Sequence, residues 1–190
     1  MNAPAQAAQF VRHRFTVEDA RALAAAGLID ADSRIELIEG ELIDMPADGP
    51  RNMSWADGLG RWLYTGLPDK YAIIPGLTLV LSEFNGPKPD WYVFDRAVAT
   101  ADVRGTDVLL LIEQSDTTLK RDLGWKADLY AEYGVRDYWV IDLEARAVHI
   151  HRDPSPSGYQ FKQRFGRDDA VSALLIPDLA LTISALPQLG

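Results

Sequence analysis

Val108-Leu109-Leu110-Leu111-Ile112-Glu113-Gln114-Ser115-Asp116 is the stretch that decides the fold. Five apolar residues with no polar alternate read as a strand buried on both faces, and the run stops abruptly at a carboxylate. Beyond it, Leu119, Leu123, Lys126, Tyr130 and Tyr133 are spaced by 4, 3, 4 and 3 residues. That spacing is one helix face, so it predicts a helix from about Leu119 to Tyr133, stopped by Gly134. One member of the stripe is a lysine. An unpaired ammonium facing a core is expensive, and Glu113 leaves the preceding strand just before the helix begins.

Toward the C-terminus, Asp137 to Asp142 reads as a strand and Val148 to His151 as its partner. Pro154 to Gly158 is a turn, Tyr159 to Phe165 another strand, and the apolar tail from Val171 to Leu186 is expected to close the sheet. Toward the N-terminus, Pro89 forces an extended start, so Asp90 opens a short strand to Phe94. Tyr71–Ile74 and Leu77–Leu81 read as strands around Pro75-Gly76. A helix is predicted from about Asn52 to Leu67. Residues 34–45 alternate around Gly40 as a hairpin. Thr16 with Glu18-Asp19 caps a helix that ends at Gly27. Residues 1–14 are expected to be a flexible arm and residues 15–190 a single α/β domain, a central mixed β-sheet flanked by helices.

Composition narrows the function classes. The 190 residues are 47% apolar and 25% charged, as in a globular protein, and contain no cysteine, which excludes disulfides and thiolate metal sites. No run approaches the roughly 18 apolar residues of a spanning helix, and residues 1–9 lack the core of a signal peptide. The expected home is cytoplasmic, without a membrane. The net charge of −9 argues against tight, non-specific binding of nucleic acid. A local basic groove of Lys88, Lys120, Arg121 and Lys126 is compatible with it.

The candidate constellation is Asp90, Glu113 and Lys126. If the strands that carry the two acids are antiparallel neighbours, both carboxylates fall at one sheet edge. They would form a hard oxygen site suited to Mg2+ or Mn2+, where a metal polarises a phosphate and a lysine orients water. The competing reading is a buried Lys126–Glu113 ion pair with no chemistry. Asp122, four residues before Lys126, is a rival partner for it. Glu36, opposite in phase to Ile35 and Leu37, reads on its own as a solvated strand residue. Asp116-Thr117-Thr118 reads as a helix N-cap. His149 and His151 share a strand face but lack a third zinc ligand. There is no nucleophile elbow and no glycine-rich phosphate loop.

Glu36-Leu37-Ile38-Glu39-Gly40-Glu41-Leu42, Pro89-Asp90, Leu110-Leu111-Ile112-Glu113 and Ser115-Asp116-Thr117-Thr118-Leu119 form a recurring set with Asp122, Lys126, Tyr130, Gly134-Val135 and Tyr138-Trp139-Val140-Ile141-Asp142-Leu143. Over about residues 15–186 the chain resembles the Uma-two family, grouped with restriction endonucleases in the PD-(D/E)XK nuclease superfamily. The resemblance implies a restriction-endonuclease-like core and a metal-dependent DNA endonuclease. It implies Mg2+ (or Mn2+) at Asp90 and Glu113, with Glu36 as an upstream acid. The superfamily's common lysine position is Ser115 here, so Lys126 is its substitute. A homodimer is expected by analogy. Two departures stand out: Asn52 replaces a histidine, and Gln114 replaces an apolar residue. With the acidic net charge, they keep open a catalytically silent binding or assembly module. A nuclease acting on RNA is the third reading.

Overall fold

The computed structural model describes residues 12–30, 34–47 and 49–186. Helix α1 (Val17–Ala25) starts under a reciprocal cap, in which Asp19 N donates to Thr16 Oγ1 at 3.0 Å and Thr16 N donates to Asp19 Oδ2 at 2.8 Å. Strands β1 (Ile35–Ile38) and β2 (Glu41–Asp44) form an antiparallel hairpin. It reverses at Glu39 and Gly40, whose φ values of 52° and 83° match the twist of the flanking strands. A Cβ on Gly40 would lie 2.6 Å from Arg14 Cβ, so position 40 has no room for a side chain. The expected arm lies outside the described residues except at its end, where Arg14 stacks over Phe84 at 4.0 Å and Phe15 N donates to Gly40 O.

Helix α2 (Pro50–Gly66) takes proline at its first position, where no N–H is required. The central sheet contains β3 (Tyr71–Pro75), β4 (Trp91–Asp95), β5 (Val108–Ser115), β6 (Asp137–Asp142), β7 (Ala147–Ser155) and β8 (Gly158–Phe165), in that spatial order. Only β5 and β6 are parallel. Their crossover carries α3 (Leu119–Asp122) and α4 (Trp125–Glu132). On one face Trp55, Leu59 and Leu63 of α2 pack on Leu110, Ile112 and Trp139. On the other Leu129 and Tyr130 of α4 pack on Leu111, Tyr138 and Val140, with Ile38 of the hairpin. The result is a mixed sheet flanked by helices.

Three expectations are corrected. The helix predicted over 119–133 is broken at Leu123-Gly124, where a Cβ on Gly124 would meet the Lys120 carbonyl oxygen at 2.8 Å. Residues 77–81 form no strand; Leu79 N and Leu81 N bond to Pro87 O and Asn85 O, and Pro87 and Pro89 cannot donate to continue a ladder. The tail does not extend the sheet. Strands β9 (Ala170–Ser172) and β10 (Ala180–Thr182) pair only with each other and cover the α2 side, tied down by Arg152 Nη2 to Ser172 O at 2.6 Å and Trp62 Nε1 to Ala180 O at 2.7 Å.

Candidate active site

Asp90 stands one residue before β4, and Glu113 lies near the end of β5. The antiparallel register, Trp91 opposite Ile112, sets them side by side. The Gln114 N–H donates to Asp90 Oδ2 at 2.6 Å and pins that carboxylate across the two strands. Along β5 the side chains alternate between faces, so Glu113 points with Leu111 toward α4. There Lys126 Nζ donates to Glu113 Oε1 at 2.9 Å, and Tyr130 Oη donates to the same oxygen at 2.8 Å. Lys126 and Tyr130 sit four residues apart on one helix face, which brings both donors to one carboxylate.

Glu36 arrives from the other side. The pairing of Leu37 with Gly86 anchors the hairpin, and Lys126 Nζ donates to Glu36 Oε1 at 3.0 Å. Glu36 is 3% exposed, so the solvated reading of its alternation is overturned. Alternation puts it on the same face as Ile38, and that face packs under α4. All four predicted residues, Asp90, Glu113, Lys126 and Glu36, line one cavity of about 170 Å³, open to solvent and also bordered by Arg121 and Gln114.

Asp122 is not the partner of Lys126. The break before α4 turns it aside: Asp122 Oδ2 accepts from Ser115 Oγ and Thr118 Oγ1, both at 2.6 Å, and Oδ1 accepts from Arg121 Nε at 2.9 Å. The expected cap at 116–118 is also different. Thr118 occupies the N-cap without a side-chain bond to the backbone, and Asp116 pairs with Arg51 at 2.6 Å. Of the expected basic cluster, Lys88, Arg121 and Lys126 reach the cavity wall and Lys120 does not.

The electrostatics follow from three acids around one buried ammonium. Burial pushes the Glu113 carboxyl up to about 8; Lys126 opposes that rise, while Asp90, Asp122 and Glu36 reinforce it. Burial also raises Asp90, against the pull of the Gln114 N–H and Lys126. Burial works against the charge on Lys126, but Glu113 and Glu36 more than offset it and raise its pKa. Near neutral pH the cluster therefore holds a charged lysine and keeps a proton on Glu113, relieving carboxylate repulsion.

A divalent cation can relieve the same repulsion. Among the described residues no group of three or more His, Asp or Glu side chains is arranged to hold a metal ion. The donor set fits a cation that retains its waters, as magnesium does. Two buried oxygens at the cavity, Glu36 Oε2 and Gln114 Oε1, have no hydrogen-bond partner and fit that role. The helical stripe marks Tyr130 as a core-facing residue and does not reveal it as a donor to Glu113. Its place four residues after Lys126 was the available signal.

The profile of the Uma2 family, described as "Putative restriction endonuclease", matches residues 17–184. A crystal structure from Anabaena variabilis, described as a "putative nuclease belonging to DUF820", is similar with a TM-score of 0.70 at 17% identity. The likeness covers 90% of this chain and 96% of that one and shows a shared fold. No curated protein matches. No helix among the described residues is long and apolar enough to cross a membrane. The family match spans the hairpin, both acid-bearing strands and the crossover helices, and the chain belongs to the Uma2 family.

Proposed function

We propose that this protein is a metal-dependent endonuclease that hydrolyses DNA phosphodiester bonds. The observation that carries the reading is the meeting of Asp90, Glu113 and Lys126 in one solvent-open cavity. Asp90 and Glu113 would hold Mg2+ or Mn2+, with the open Glu36 oxygen beside them. Bound there, the metal would supply Lewis acidity toward a phosphate oxygen and lower the pKa of a water. Lys126 has three donors; two hold Glu36 and Glu113 in place, and the third orients the attacking water. Tyr130 fixes the Glu113 carboxylate from behind. Gln114 does the same for Asp90 through its backbone N–H.

The test is supercoiled plasmid incubated with magnesium and either the wild type or Asp90→Ala. The variant is expected to nick more slowly by roughly a hundredfold or more, the scale for removing a preorganised electrostatic group at a reacting centre. Equal nicking by both proteins would assign the cleavage to something else. The net charge of −9 favours a second reading, a silent module that keeps this fold for binding or assembly. Calorimetry showing no heat of magnesium binding at millimolar concentration would favour that module. Parallel assays on single-stranded RNA and DNA separate the choice of substrate.

A further inference from the structure

Lys126 is poorly placed to meet a substrate. It is 1% exposed, and its ammonium is held between Glu36 Oε1 and Glu113 Oε1 at 3.0 and 2.9 Å. A phosphodiester entering the cavity needs another cation, one that reaches the surface of the wall. Arg121 has that position. It lines the same cavity, and its side chain is 23% exposed.

Its seat is unusually well built for a residue on a one-turn helix. Asp122 is 1% exposed and accepts three donors: the Ser115 and Thr118 hydroxyls on Oδ2 and Arg121 Nε on Oδ1. Ser115 belongs to β5, two residues past Glu113, so the strand that carries the acid also anchors the carboxylate that holds the arginine. The Tyr138 hydroxyl donates to the Asp122 backbone oxygen at 2.9 Å and fixes the helix turn itself. At the other end of the guanidinium, Nη1 lies 3.1 Å from Met45 Sδ. A thioether is a weak acceptor, so it steers the plane of the group without neutralising it. An aimed, planar, permanently charged fork suits a phosphate oxygen pair.

We propose that Arg121 is a phosphate-binding residue of this cavity, seated by Asp122, Ser115 and Thr118, while Lys126 serves the carboxylates. The ligand class is a phosphodiester, and the assignment rests on the nuclease reading above. Asp122 is then a positioning residue that acts through Arg121.

The experiment is fluorescence anisotropy of a fluorescein-labelled DNA duplex with phosphorothioate linkages, titrated in magnesium over a range of salt. Arg121→Gln is expected to weaken binding roughly tenfold, as for loss of a hydrogen bond to a charged group. It should also lower the slope of log affinity against log salt by about 0.9, the release from one phosphate contact. Arg121→Lys keeps the charge without the fork; it should keep the slope and lose about threefold in affinity. Lys120→Gln, one residue away and outside the cavity, should match the wild type. Thermal unfolding of each variant checks that the seat survives, and Arg121→Lys carries the test if Arg121→Gln does not fold. Wild-type affinity and slope in Arg121→Gln, or wild-type affinity in Arg121→Lys, would overturn the assignment and leave the nuclease reading intact. A wild type that binds no duplex would overturn both.

Discussion

At the residue scale the cluster is a competition for positive charge. Burial raises Glu113 to about 8, so at neutral pH it keeps a proton that, on the proposed nuclease reading, a divalent cation would have to displace. Magnesium affinity should therefore rise with pH, approaching tenfold per unit below about 8, and level off above it. Binding near pH 7 should release a proton to solution. Calorimetry in two buffers of different ionisation enthalpy measures that release directly; a buffer-independent heat would mean that Glu113 is already ionised. The sign for the metal-free fold is the reverse. A carboxyl raised above its unfolded value stabilises the fold below about 4.5, and that contribution is lost as pH climbs through about 8. On the proposed reading, metal and proton would compete for the same carboxyl, and the proton would give way as pH rises toward about 8.

At the scale of elements, the hairpin decides whether Glu36 reaches Lys126 at all. Its reversal depends on Gly40, where φ is 83° and Arg14 leaves no room for a side chain. Gly40→Ala should cost about 1–2 kcal/mol, the penalty for a left-handed L-residue, before any clash with Arg14 is counted. Urea unfolding measures the loss, and a variant as stable as the wild type would show that the turn relaxes freely. The hairpin was legible because polar and apolar residues alternate around a glycine. Burial of Glu36 was not legible, because alternation marks two faces and cannot say that a helix covers the second. The 119–133 helix was legible by period. Its break was hidden because Lys126 and Tyr130 keep the phase of Leu119 and Leu123 across Gly124. Leu77–Leu81 is apolar enough for a strand, yet its partner segment carries Pro87 and Pro89 and offers too few donors. Asp90 beside Glu113 was legible only on the supposition of antiparallel neighbours, and the register of β4 on β5 supplies that.

On the scale of the whole molecule, the sheet buries a histidine that does not line the cavity. His151 is 4% exposed, its ring 5.4 Å from Tyr138 and 5.6 Å from Tyr159, and burial with the nearby Lys162 and His149 lowers its pKa to about 4. A base depressed below its unfolded value of about 6.5 contributes stability that is complete above that pH and lost as pH falls through about 4. The difference is worth about 3 kcal/mol. His151→Gln should flatten the acid limb of a plot of urea stability against pH; an unchanged limb would place the acid sensitivity elsewhere. The contact between Lys126 and Glu36 joins positions 90 residues apart. During synthesis the hairpin emerges first and must wait, at roughly 5–20 residues per second, for the helix that completes its pairing. A nascent chain halted before that helix carries the acids without their ammonium. The fold therefore delays assembly of the acid–lysine cluster until the crossover helix has left the ribosome.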